Sequence, residues 1–388
     1  MHTNKNNNIN ERRNSMKFKI KQRVLLEHLN YVIRGISNKN LVPILNCIKL
    51  ELNEDGLYMI STDNNIAIKT LIDRSLILSI DESGSTVVAG RFIYDIINKL
   101  PNTIINIETD DSGKLYIFTE NSKFYLNCND VNEFPEIDLE ENDTCININS
   151  NIFRNIINQI SFASSTQESR PALTGIDFNF EGNKLVCTAT DSYRLAKKEI
   201  ILDQTLDKNY NLILPTRNLK EMIHLLPDSD EAVRMFVFDN KIIFKINNIV
   251  FLTSVINATF PDTSRLVPNE FKVSIIVNLN DFYGAIDRAS LLSNNDEKNT
   301  IRLETSGDTM KITSNVPEIG MVDENINIKN VNNSDIVISF SARYMMEAVK
   351  TFNADEINLL FNGELLPIIV KNPGQEDLTQ LIVPIRTF

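Results

Sequence analysis

The chain has 388 residues, 42% of them hydrophobic and 23% charged, with a formal net charge of −12. That is the composition of a soluble globular protein, long enough for about two to four domains. The acid excess argues against a nucleic-acid partner spread over the whole surface, but leaves one basic inner face open, because net charge is a global sum. Four cysteines, with no Cys-x-x-Cys pair, read as reduced thiols of a cytoplasmic protein, and three histidines are too few for a His-cluster metal centre. No apolar run reaches the roughly 18 residues of a membrane span.

Residues 1–15, MHTNKNNNINERRNS, are polar and Asn-rich, without the apolar stretch of a signal peptide. They are expected to form a disordered extension, with Met16 as the functional start. From there the chain repeats itself. A helix-like run at 25–37 has counterparts at 152–164 and 282–293. Each is followed by a hairpin signal, the first of them IKLELNEDGLYMISTD with Asp55-Gly56 at its turn. A second helical run then opens on Arg91, Arg217 or Arg343, and Pro101 and Pro227 close the first two. Further alternating runs complete each unit as strands. Phe134-Pro135-Glu136 recurs as Phe260-Pro261-Asp262, a shift of 126 residues.

A period this long exceeds any solenoid repeat of about 20–50 residues. It predicts an α+β protein of three repeated domains, each with two helices and antiparallel sheets, over 16–138, 139–262 and 263–388. Similar domains joined in the same way follow an arc, and an arc can close into a ring.

The chemistry is sparse. There is no phosphate-binding G-x-x-x-x-G-K-[ST], no dinucleotide fingerprint and no G-x-S-x-G elbow. The densest polar cluster is Thr190-Asp191-Ser192-Tyr193-Arg194. Thr62-Asp63 aligns with Thr190-Asp191, so that pair reads as turn chemistry. Beyond it the repeats diverge: Asn64-Asn65-Ile66 in the first, Ser192-Tyr193-Arg194-Leu195 in the second. Tyr, Arg and Leu together suit a binding anchor. An ordinary strand with Tyr and Leu on its core face is the alternative. An enzyme built on Ser192, Tyr193 and Arg194 would need a general base that the sequence does not place nearby. A protein-binding scaffold without DNA is a third possibility. Basic residues flank the helical runs, but acidic ones do too.

ATDSYRLA at 189–196, FPDTSRLVP at 260–268 and LIVPIRTF at 381–388 resemble the bacterial DNA polymerase III beta subunit family, the sliding clamps. MKFKI at 16–20, LVPILNCIKL at 41–50 and RPALTGIDF at 170–178 fit as well. The resemblance implies a non-catalytic processivity factor with no cofactor and no metal. It implies a head-to-tail homodimer, a six-domain ring around double-stranded DNA held without sequence preference. Its partners would be the replicative polymerase, the clamp loader and other replication and repair proteins. The implied peptide pocket comprises Leu173, Thr190, Ser192, Tyr193, Arg194 and Leu195. Pro261, Arg265 and Leu266 would join it after the second Phe-Pro step, with Ile286 and Tyr344 from the third repeat's helices. Ile382, Val383, Pro384, Ile385 and Arg386 would come from the tail. Some members have Gly and His at Ser192 and Tyr193, and Phe at Ile286. Lys39, Gln167 and Arg170 match loop positions that approach DNA.

Overall fold

The computed structural model describes residues 15–37, 41–293 and 299–386. The expected extension up to residue 14, and Lys39, lie outside the described residues. Six α-helices occur among the described residues, two per sequence repeat: α1 Gln22–Val32, α2 Gly90–Lys99, α3 Ser150–Ile160, α4 Thr216–Met222, α5 Leu279–Ser293 and α6 Ala342–Val349. Each begins slightly ahead of its apolar periodicity. Asn149 explains this for α3, because its carbonyl side-chain oxygen accepts from the backbone N–H groups of Asn151 and Ile152 and starts the helix there. Ser341 caps α6 through Tyr344 N–H. Leu100 is extended ahead of Pro101, and α2 stops at Lys99.

The sheets are antiparallel, but they do not follow the repeat boundaries. The chain forms two compact units. One holds the described residues up to Asn147 with His224–Pro227 and Glu231–Ser254. Its 13-stranded sheet joins the first repeat to half of the second, where Ile249–Ser254 pairs with Ile66–Asp73. The core there is built on Leu25, Leu29, Ile93, Ile97, Met59 and Ile68, all fully buried.

The other unit holds Ile148–Ile223, Asp228–Asp230 and Val255–Phe388. Its nine-stranded sheet joins the remaining half of the second repeat to the third, where Arg194–Ile201 pairs with Gln375–Ile382. A separate four-stranded sheet, ending on Gly320–Asn327, packs under α5. Phe153, Phe178 and Phe180 stack in the second-repeat core. Leu195 joins Leu360, Ile369 and Leu381 in a cluster that crosses from the second repeat to the third, with Val267 and Phe271 packed against it. Alternation of buried and exposed positions along strands of both units is what one solvated sheet face demands.

Candidate docking surface

The Thr-Asp turns of the first two repeats are the same structure. Thr62 Oγ1 donates to Ile66 O at 2.7 Å and Asp63 Oδ1 accepts from Asn65 and Ile66 N–H, both at 2.9 Å. Thr190 Oγ1 donates to Arg194 O at 2.7 Å, and Asp191 Oδ1 accepts from Tyr193 and Arg194 N–H at 2.9 and 3.0 Å. Asn64 and Ser192 occupy the left-handed position, at φ 73° and 78°. In the third repeat Ser314-Asn315 aligns with these Thr-Asp pairs, and the strand Thr309–Val316 runs straight through it, so the turn is absent there.

The second-repeat turn sets the positions of Tyr193 and Arg194. Thr190 is buried and its hydroxyl is committed to the turn. Asp191 Oδ2 also accepts from Arg194 Nε at 3.0 Å, with both side chains almost buried. A second carboxylate, Glu347, closes on Arg194 Nη1. The guanidinium lies 4.4 Å from the centre of the Tyr344 ring and 5.2 Å from that of Phe162. Asp191, accepting from three donors, is in no position to activate Ser192, whose Oγ instead faces Arg170 Nη1 at 3.3 Å. Both carboxylates of the cluster are engaged by Arg194.

Tyr193, 62% exposed, stacks on Tyr344 with ring centres 6.5 Å apart. Its carbonyl accepts from Val383 N–H at 2.9 Å, which ties the C-terminal tail to the turn. Two cavities are lined by residues of this turn, of the second Phe-Pro step and of the tail. The first, of about 510 Å³, is lined by Leu173, Ser192, Pro261 and Arg170 among others. The second, of about 400 Å³, is lined by Ile385 and Arg386 with Ser339, Arg302 and Leu365. Ile385 N–H donates to Ser339 O at 2.7 Å and holds the tail along that strand. Thus Leu173, Ser192 and Pro261 line one cavity and Ile385 and Arg386 the other, while Tyr193 contacts Tyr344 and Val383.

Others of the expected residues sit behind it. Leu195 and Ile382 are core side chains, and Pro384 is half-buried. Ile286 is fully buried in α5. Arg265 and Leu266 are exposed on the turn closed by Leu266 N–H to Thr263 O, beside the Val267 anchor. Arg170 lies at the first cavity, while Gln167 is exposed on the preceding loop. No pattern in the amino-acid order marks Phe162, Arg302, Leu365 or Leu366. The two leucines are 62% and 50% exposed, in a loop without periodicity.

Among the described residues no group of three or more His, Cys, Asp or Glu side chains could hold a metal ion, and no helix is long and apolar enough to cross a membrane. All four cysteines are free thiols.

Three family models match in chain order: the DNA polymerase III beta subunit N-terminal domain over 16–138, the central domain over 147–262 and the C-terminal domain over 264–386. The chain belongs to the DNA polymerase III beta subunit family. The beta sliding clamp of Staphylococcus epidermidis is 37% identical over 377 residues, covering 96% of this chain and all of that one. The DNA polymerase sliding clamp of Bacillus subtilis superposes with a TM-score of 0.91 at 35% identity, over 96% of this chain and all of that one. The DNA polymerase III beta chain of Streptococcus pneumoniae gives 0.91 at 29% identity with the same coverage. Sliding clamps are non-catalytic processivity factors.

Proposed function

We propose that two copies of this chain close head to tail into a ring around duplex DNA and tether polymerase through the Tyr193–Arg194 surface. The observation that carries the ring is a pair of open strand edges. In the first unit, Lys123–Asn129 pairs with Lys114–Phe118 on one side, but on the other meets Gly84–Ala89 only at Cys128 and Asn129. The rest of that edge carries Lys123, Phe124 and Tyr125, with the two aromatics 38% and 60% exposed. In the second unit, Gly320–Asn327 is the last strand of its sheet and carries Met321 (59% exposed), Asp323 and Glu324, just after Ile319 (55% exposed). Both edges present exposed apolar side chains; Lys123 stands on the first, and on the second Asp323 and Glu324 are held by Lys311 and Arg288 of the same chain. Open edges of this kind pair with another chain. Two different edges on one chain make a heterologous contact, which gives a ring when the rotation closes.

Exposed Arg23, Arg91 and Lys99 on α1 and α2, Arg217 and Lys220 on α4, and Arg343 and Lys350 at α6 supply phosphate contacts without base readout, despite the acidic total. Gln167 and Arg170 would add loop contacts, Arg170 from the rim of the first cavity. Leu173, Pro261, Tyr344, Val383 and Ile385 supply apolar walls with polar tips, suited to a short peptide with hydrophobic anchors. Leu195, Ile286 and Ile382 would support those walls from the core, and exposed Arg265 and Leu266 would meet the peptide from the turn after Thr263. The replicative polymerase, the clamp loader and repair proteins in the cytoplasm would present such peptides in turn.

The test is native mass together with retention on nicked circular DNA. A mass of two chains and retention lost on linearisation are expected. A strict monomer at micromolar concentration that washes off circular DNA would overturn the proposal.

A further inference from the structure

The segment that leaves the second repeat crosses the sheet as a strap. Ile256 N–H donates to Ile213 O at 2.8 Å. Gly175 lets it lie close, because a Cβ there would meet Ile213 Cγ2 at 2.5 Å and Ile256 Cδ1 at 2.9 Å. Residues 258–262 form a wall common to two cavities. On one side is the docking cavity of Leu173 and Ser192. On the other is a polar cavity of about 570 Å³, lined by Asp177, Asn179, Thr188 and Asn211 of the sheet and by Thr263 and Ser264 of the strap.

Asp177 is the unusual member. It is only 9% exposed, and its Oδ1 has no hydrogen-bond partner. Burial raises its carboxyl to about 6, against a smaller opposite pull from the Asn211 amide. A buried carboxylate without a cation is costly, and protein interiors normally supply one. The lysine on this cavity, Lys197, is held by Glu199 at 2.6 Å. Asp262, at the rim, is used by Ser264 N–H at 2.9 Å. The remaining lining mixes hydroxyl and amide groups with the apolar Val186, Ala258, Phe260 and Pro261. It suits a hydrogen-bonding cation carried on an aliphatic stem.

We propose that this cavity receives a lysine or arginine side chain of the same peptide that docks its apolar residues at Leu173 and Pro261, with Asp177 as the counter-charge. The inference rests on the peptide-docking reading above. It makes Asp177 a specificity-determining residue, because the strap is all that separates the two cavities. A peptide lying over Pro261 has both within reach of adjacent side chains.

Fluorescence anisotropy with three labelled synthetic peptides tests it. They share their apolar anchors and differ only at one flanking residue: arginine, glutamine or glutamate. The arginine peptide is expected to bind about tenfold tighter than the glutamine peptide, as for a charge-assisted hydrogen bond. That ratio should persist at high salt, where surface attraction is screened, and should fall to near one in Asp177→Asn. The glutamine peptide should bind wild type and Asp177→Asn alike. Equal binding of all three peptides to wild type at high salt overturns this inference and leaves the docking surface intact. So does an arginine preference unchanged in Asp177→Asn. Failure of every peptide to bind overturns both.

Discussion

The Arg194 guanidinium lies face-on to Tyr344, 4.4 Å from the ring centre, while Asp191 holds its Nε at 3.0 Å. One side chain therefore joins a turn of the second repeat to a helix of the third. Replacing Arg194 by Ala leaves Asp191 buried without its partner and should cost about 3 kcal/mol in urea melts. Arg194→Lys should recover less than half of this, because an ammonium cannot hold a carboxylate and cover a ring with one planar group.

Tyr193 is exposed and bears no part of that lock beyond its ring contact with Tyr344. Tyr193→Ala should weaken an anchor peptide by about tenfold, the effect of losing a hot-spot aromatic, with native mass and melting temperature almost unchanged. Loss of the dimer in this variant would contradict the docking assignment.

The left-handed backbone at Ser192 costs a non-glycine residue about 1 kcal/mol. Ser192→Gly should raise stability by up to about that amount, and Ser192→Val should lower it by more. Asn64→Gly should gain less, because Asn tolerates this region better. Chemical denaturation of the three variants measures the order.

Asp177 makes stability depend on pH. Its carboxyl titrates at about 6 in the fold and at about 4 in the unfolded chain. Between those values the folded state binds more protons, so stability should fall as pH rises through that window, by about 3 kcal/mol in total. Asp177→Asn should flatten this slope and be the more stable protein at pH 8. A wild-type stability that rises from pH 4.5 to 6.5 relative to the variant would contradict the assignment.

Met321→Lys places a cation opposite the Lys123 edge of the second copy in the proposed ring. It should shift the native mass from two chains towards one, with no loss of fold, because Met321 is 59% exposed. An unchanged dimer would sink the edge-to-edge arrangement.

Much of this architecture is legible in the amino-acid order. Apolar periodicity marks all six helices, and the Thr-Asp alignment predicts two superposable turns, because local hydrogen bonds of Thr190 and Asp191 depend on nothing distant. Long-range pairing is what such an alignment cannot carry. The strand Arg194–Ile201 meets Gln375–Ile382 through register alone, so the burial of Ile382 and the approach of Glu347 have no local signature. The family resemblance names Ile286 for the pocket, and its side chain in α5 is fully buried, a placement that depends on helix packing. Asp177 carries no signal of its own because, in a strand reading GIDFNFE, it looks like any polar alternate.

The sharing of sheets across repeats bears on how such a chain arose and how it tolerates cutting. The duplicated segment of the gene is not the cooperative segment of the protein. A product ending at 138 would expose the Ile66–Asp73 edge that Ile249–Ser254 covers. One lacking the last eight residues would lose Leu381 and Ile382 and strip the Arg194 strand of part of its neighbour. A repeat therefore cannot be excised or traded as a cassette without uncovering a strand of its neighbour.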